Sequence, residues 1–253
     1  MVTKRRGAVV AFSGGLDSTT VLMQAIQDFG RDNVYARSFN YGQKHSLELR
    51  QAKEICEVLS VNWAVIQLPQ IFAGAGSTLM DSDSSVQMMG SYEELEKKYG
   101  AQPTVVPNRN MWIIAACVTT ALVEGVDNVM LGVHGTDSAN YHYPDCTPMF
   151  IGAMCAATEI GNSGQVRLTA PYNTWSKGRI VLEGAGLGAP YHLTQSCYSG
   201  VRPACGKCAT CHERIAAFEE AGYIDPIAYA IPINWSPGLV RGYWDYADDI
   251  SAD

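Results

Sequence analysis

Charge is scarce in this chain, and positive charge is scarcest. Asp, Glu, Lys and Arg make up 17% of the 253 residues, against roughly 25% in an average globular protein. Lys and Arg number 18 and Asp and Glu 25, a formal net charge of −7. A protein that grips nucleic acid over a broad face is normally basic, so this balance argues against general polyanion binding. It still allows a small anion held in a local pocket. With 47% apolar residues the chain can build a core, and a disordered chain is excluded. No apolar run approaches the ~18 residues that span a bilayer. Near the start, Lys4-Arg5-Arg6 precedes only Ala8 to Phe12 before a Ser-Gly-Gly turn. That stretch is too short for the apolar centre of a secretion signal. A first β-strand and a cytoplasmic location are expected instead. There is no internal repeat and no low-complexity tract. At about 150 residues per domain, one large domain with an appendage is expected.

What is present alternates in blocks. Ala8 to Phe12, Val34 to Phe39, Val61 to Leu68, Asn128 to Val133 and Val166 to Ala170 read as strands. Between them, apolar residues recur at helical spacing: Val21, Leu22, Ala25, Ile26 and Phe29, then Leu47, Ala52, Ile55, Val58 and Leu59. Further helices are expected at Asn108–Glu124, Pro148–Ala157, Ser176–Gly184 and His212–Ala221. Strands alternating with helices in this way predict βαβ units and a doubly wound parallel sheet. Residues 69–105 break the pattern with Gly74, Gly76, Gly90 and a run of Ser and Asp. They read as an irregular excursion, with a short helix at Ser91–Tyr99, that serves as a binding element or a solvated loop.

Phe12-Ser-Gly-Gly-Leu-Asp-Ser-Thr19 sits between the first strand and the first helix. A helix N-terminus exposes unpaired N–H groups and the positive end of its dipole. Gly14 and Gly15 let amides close around an anion, and Ser13, Ser18 and Thr19 add hydroxyls. The site suits phosphate or pyrophosphate. Asp17 is odd in an anion cradle; it fits as a helix cap or as a holder of Mg²⁺ bridging the phosphates. The Gly-Lys-Ser/Thr ending of a Walker A loop is missing, and so is the G-x-G-x-x-G of a dinucleotide fold.

Of eight cysteines, Cys56, Cys117, Cys146 and Cys155 are dispersed, and Cys197, Cys205, Cys208 and Cys211 are clustered. The C-x7-C-x2-C-x2-C spacing suits four thiolates around a structural Zn²⁺ with no open position for catalysis. An iron–sulfur cluster has similar spacings and is the rival. Cys56 and Cys117 fall on apolar helix faces and read as core residues.

The Ser13-Gly-Gly-Leu-Asp-Ser18 run resembles the PP-loop of the N-type ATP pyrophosphatases. That superfamily binds ATP and adenylates an oxygen, so that ammonia or sulfur can displace it. Three further segments narrow the likeness: Asn40-Tyr-Gly-Gln-Lys-His45; Gly132-Val-His-Gly-Thr-Asp137 with Tyr143-Pro-Asp-Cys146; and the clustered cysteines. In this order they resemble the 7-cyano-7-deazaguanine synthase family over about residues 8–215. The resemblance implies conversion of 7-carboxy-7-deazaguanine, ammonia and ATP with Mg²⁺ to the nitrile, by way of adenylated carboxylate and amide. Two features depart from the family pattern. Ser138 to His142 lengthen the loop before Tyr143, and Thr147 stands where a basic residue is usual. A relative that stops at the 7-amido product, one that serves DNA modification, and a non-catalytic nucleotide binder are the alternatives.

Carried over residue by residue, the resemblance assigns ATP binding to Phe12, Ser13, Gly14, Gly15, Leu16, Asp17, Ser18 and Thr19. It makes Asp17, Lys177 and Arg109 catalytic. Lys177 would neutralise phosphate charge, and Arg109 would grip phosphate or the substrate carboxylate. Tyr41, Gln43, His45, Tyr143 and Asp145 would line the substrate pocket, with Asp145 accepting from a guanine-like N1–H and amino group. The expected organisation is a nucleotide-binding and catalytic domain at 1–195, a zinc knuckle with its helix at 196–222, and a tail at 223–253. Only small molecules are expected as partners, with free ammonia as the nitrogen source, no direct nucleic acid and no membrane. The resemblance also implies a homodimer.

Overall fold

The computed structural model describes residues 5–42, 47–68, 72, 77, 104–135 and 143–242. Gln43, His45, the Ser91–Tyr99 helix and the lengthened loop Ser138 to His142 lie outside them. Five strands form one parallel sheet: β1 (Arg5–Ala11), β2 (Val34–Asn40), β3 (Asn62–Gln67), β4 (Val126–Leu131) and β5 (Arg167–Thr169). Their order is β3-β2-β1-β4-β5. The α-helices among the described residues are α1 (Leu16–Phe29), α2 (Leu47–Val58), α3 (Arg109–Glu124), α4 (Pro148–Gly161), α5 (Lys177–Gly186) and α6 (Ala209–Glu220).

β1 shows why the sheet is doubly wound. Successive side chains point to opposite faces, and both sets are apolar, as a sheet covered on both sides requires. Ala8, Val10 and Phe12 pack with Leu22, Ala25, Ile55, Ile180, Val181 and Phe218, which come from α1, α2, α5 and α6. Val9 and Ala11 pack with Ile114, Cys117, Ala121 and Ile151 of α3 and α4. Each such fully buried Val or Leu contributes roughly 1.5–3 kcal/mol. Cys56 and Cys117 sit in these two layers, almost fully buried, as their helix faces predicted.

Some boundaries move. β4 starts at Val126, two residues before the expected strand, and α6 starts at Ala209 with Cys208 as its N-cap. The thiols of Cys208 and Cys211 turn inward together, so the first turn of α6 belongs to the cysteine cluster. Asp17 does not cap α1. Gly15 holds the cap position without a side-chain hydrogen bond, which leaves Asp17 inside the first turn, where its carboxylate meets cations instead. Beyond α6, β6 (Tyr223–Ile224) pairs with β7 (Val240–Arg241). Ala204 exchanges backbone hydrogen bonds with Ala228 and Ala230. The buried Arg214 of α6 grips Asp225 with two bonds, at 2.6 and 2.9 Å.

In this order β2 and β3 lie on one side of β1 and β4 and β5 on the other, so the winding reverses between β1 and β4. Open α/β sheets bind ligands in the crevice at the carboxyl ends of such strands.

Candidate active site

A cavity of about 320 Å³ opens at the carboxyl ends of β1 and β4. Its floor is the loop that joins β1 to α1. Gly14 has φ +79°, and a Cβ there would lie 2.9 Å from the backbone nitrogen of Ala52. Both facts demand glycine. Around it, the Gly15 amide donates to Ser13 Oγ at 3.3 Å, and the Ser13 amide to Ser18 Oγ at 3.3 Å. Thr19 is buried, and its Oγ1 donates to the Gly15 carbonyl at 2.8 Å. Amides and hydroxyls thus converge at the positive end of α1, the arrangement that receives phosphate oxygens.

Ionisable side chains from four segments meet over this loop. Asp17 Oδ2 lies 3.4 Å from Lys177 Nζ and 3.7 Å from His134 Nε2. Lys177 Nζ in turn donates to Glu213 Oε2 at 2.7 Å. Burial pushes the Asp17 carboxyl up, but attraction to Lys177 and His134 outweighs it, and the group sits below its ordinary value. Asp17 Oδ1 is buried and has no hydrogen-bond partner among the described residues. Such an oxygen fits a cation carried in with phosphates.

On the opposite wall Arg109 donates to the Tyr41 hydroxyl at 3.1 Å and lies over the Tyr41 ring. Tyr41, then Asp145 and Cys146, hold its guanidinium firmly protonated against the cost of burial. Asp145 is buried behind this wall, where its Oδ2 accepts the Asn110 amide at 2.9 Å. It therefore anchors the first turn of α3, the helix that starts with Arg109. Tyr143 reaches the cavity and places its hydroxyl 2.7 Å from Thr104 Oγ1 and 3.2 Å from that of Tyr198.

Beside the cavity, the sulfurs of Cys197, Cys205, Cys208 and Cys211 all lie within 4.8 Å of one another. The Cys205–Cys211 pair is 3.9 Å apart. Four thiolates at ~2.3 Å from one metal ion would be about 3.8 Å apart, so the donor set fits a closed tetrahedral site. Ile227 and Tyr229 of the tail pack over it.

Residues 7–222 match the family model for queuosine biosynthesis protein QueC. The chain belongs to this family. It is similar to the 7-cyano-7-deazaguanine synthase of Marinomonas sp. (strain MWYL1), at 40% identity over 222 residues, 88% of this chain and 97% of that one. The synthase of Caldicellulosiruptor bescii is 41% identical over 228 residues, 90% of this chain and 99% of its own. Among solved structures, the tRNA thiolase NcsA of Methanococcus maripaludis shares 15% identity with a TM-score of 0.45, over 79% of this chain and 62% of that one. Like its family, the chain is an enzyme.

The family motifs converge on one cavity. Phe12, Ser13, Gly15, Leu16, Asp17, Ser18, Tyr41, Arg109, Tyr143 and Lys177 line it. Gly14 and Thr19 shape its loop from behind, and Asp145 stands outside the lining. Sequence reasoning missed His134 and Glu213. His134 was visible in Gly132-Val-His-Gly, immediately after β4, where the switch-point rule places ligands. Glu213 offered only its place beside Arg214 on α6.

Proposed function

We propose that the chain is an ATP-dependent carbon–nitrogen ligase that converts 7-carboxy-7-deazaguanine and ammonia to 7-cyano-7-deazaguanine. The observation that carries this reading is the near full-length match to synthases of that name. The meeting of the loop, Asp17, Lys177 and Arg109 in one cavity supports it. A carboxylate has no good leaving group. Attack of its oxygen on the α-phosphorus of ATP releases pyrophosphate and makes AMP the leaving group. Ammonia then displaces AMP and gives the amide. The amide oxygen attacks a second ATP in the same way, and loss of AMP and a proton leaves the nitrile. Each product molecule therefore consumes two ATP.

The chain's own residues supply binding and charge. The amides and hydroxyls of the loop hold phosphate oxygens, and Lys177 faces the charge that grows as pyrophosphate leaves. Arg109 pairs with the substrate carboxylate, and Tyr41 and Tyr143 offer faces to the fused ring. Mg²⁺ arriving with ATP would neutralise phosphate charge, and the orphan oxygen of Asp17 is its holder. The four cysteines hold Zn²⁺ as a structural ion. In this reading residues 1–195 carry the chemistry, 196–222 form the knuckle, and 223–253 form the tail.

The enzyme works in the cytoplasm on small molecules, with no direct nucleic-acid partner and no membrane. The net charge of −7 supports this, and no helix among the described residues is long and apolar enough to cross a bilayer. It acts as a homodimer; the exposed Met111 and Trp112 of α3 and Met149 and Ile160 of α4 are side chains a second copy would cover.

The test incubates purified protein with 7-carboxy-7-deazaguanine, ATP, Mg²⁺ and ammonia, and follows products by mass spectrometry. Amide should appear first and nitrile last. Arg109→Ala should slow the first step more than the second, because the amide brings no charge to pair with. Amide that accumulates while ATP remains would overturn the nitrile assignment, and no product at all would overturn the substrate.

A further inference from the structure

Among the described residues Asp17 and Glu213 are the carboxylates paired with Lys177, and of these Asp17 belongs to the nucleotide loop. The other, Glu213, sits on α6, two residues past Cys211. It is the closer, with Oε2 at 2.7 Å from Nζ against 3.4 Å for Asp17 Oδ2. All three side chains are largely shielded, with 10% of Lys177, 12% of Glu213 and 19% of Asp17 exposed. A lysine is a point charge on a flexible four-carbon stem. Of these two carboxylates Glu213, the nearer, draws the ammonium more strongly.

We propose that Glu213 is the positioning residue for Lys177: it holds the ammonium off Asp17 and thereby keeps Asp17 available to the bound nucleotide. Without Glu213 the ammonium would close on Asp17, pair tightly and occupy the carboxylate meant for a phosphate-borne cation. The helices are built for this hold. Lys177 is the first residue of α5, and its neighbour Ser176 donates to Glu220, also on α6. Two carboxylates of α6 therefore grip the start of α5. Cys208 and Cys211 fix the first turn of α6, so the cysteine cluster sets where Glu213 stands. Through Glu213 the cluster reaches the charged wall of the cavity, which Tyr198 and Thr210, beside the same cysteines, also line.

The proposal rests on the function proposed for Lys177, and the test separates the two. Wild type, Glu213→Gln, Glu213→Asp and Lys177→Met are compared in three ways. The first is metal content and thermal melting. The second is the ¹H–¹⁵N signal of a shielded lysine ammonium, assigned to Lys177 by its disappearance in Lys177→Met. The third is steady-state turnover of 7-carboxy-7-deazaguanine and ATP.

Both Glu213 variants should keep their metal and melt within about 3 °C of wild type. Asp keeps the charge but shortens the reach, so both should move or broaden the ammonium signal. Both should lower kcat by about 10²-fold, as a misplaced catalytic group does, with KM for ATP little changed. An unchanged ammonium signal in both variants would overturn the proposal. So would loss of metal and a collapsed melting temperature in both, because Glu213 would then hold the fold and not the lysine. If Lys177→Met turns over normally, or wild type makes no product, the functional reading falls. The ammonium signal needs no turnover and still judges Glu213.

Discussion

Gly178 passes so close to Glu220 that a β-carbon on the glycine would lie 2.4 Å from the glutamate Cδ and 2.5 Å from its Cβ. The clash includes the root of the side chain, so rotation of its far end cannot relieve it. α5 and α6 can approach this closely only with glycine at 178. The contact keeps Ser176 beside Glu220 and Lys177 beside Glu213.

Gly178→Ala should therefore push the two helices apart. Overpacking of this kind costs about 1–3 kcal/mol. The expected result is a lower melting temperature with a larger loss of turnover than stability alone explains. Melting curves and kcat measured well below the transition check this, and wild-type turnover in a folded Gly178→Ala protein would contradict it.

Asp17→Asn should leave the fold standing and cut turnover by about 10²-fold or more, because an amide neither holds a cation nor balances Lys177. Its effect on stability depends on pH. The Asp17 carboxyl is pushed up by burial and down, more strongly, by Lys177 and His134, and so lies below the ordinary 3.8. A carboxyl depressed in the folded state stabilises fully above its unfolded value and loses that contribution as pH falls through the folded one. Wild type should melt above Asp17→Asn at pH 7, and the gap should close below pH 3.8. A gap of constant size from pH 7 to 3 would contradict the ion pair.

Elemental analysis should find about one zinc per chain. Iron with visible charge-transfer absorption would instead make the site a cluster. Cys208→Ala should lose the metal and much of the stability, since metal binding to such a site is folding free energy. In contrast, Cys56 and Cys117 should resist a thiol reagent at pH 8 in the native protein. Burial pushes both thiols up to about 12, against a smaller opposing pull from Arg37.

Asp225→Asn should destabilise the protein by about 3–5 kcal/mol, the cost of leaving a buried cation without its partner. Arg214 is 1% exposed and has Asp225 as its carboxylate partner. Tyr229 also donates to Asp225, at 2.6 Å. Chemical denaturation measures the change; a loss below about 1 kcal/mol would mean that the pair is not the clamp between α6 and the tail.

The doubly wound fold was legible because its signals are local. Apolar runs such as Ala8 to Phe12 report a strand covered on both faces, and the spacing of Val21, Leu22 and Ala25 reports the helix that covers it. Most of the cavity was legible because its motifs sit at strand ends. Of the two readings of Asp17, the helix cap fell, because a sequence shows which residue types suit a helix start, not which of several takes the cap position. Glu213 was hidden for a different reason. Its partner lies on another helix, and a glutamate beside an arginine on a short helix looks like a solvated pair. The complete burial of Arg214 runs against the general preference of arginine for the surface, and its bonds to Asp225, Thr194 and the Tyr191 carbonyl explain it.

The cavity draws its parts from distant points of the sequence: Ser13 and Asp17 from the first strand–helix turn, Lys177 from the start of α5 and Glu213 from α6. During synthesis the phosphate-receiving loop leaves the ribosome long before the residues that complete it. At ~5–20 residues per second the interval from Asp17 to Glu213 is roughly 10–40 s. A nascent chain can therefore present an anion-receptive loop with no lysine opposite it and no second carboxylate to hold that lysine in place. The proposed reaction with ATP would then have to wait until α6 docks and brings Glu213 to Lys177.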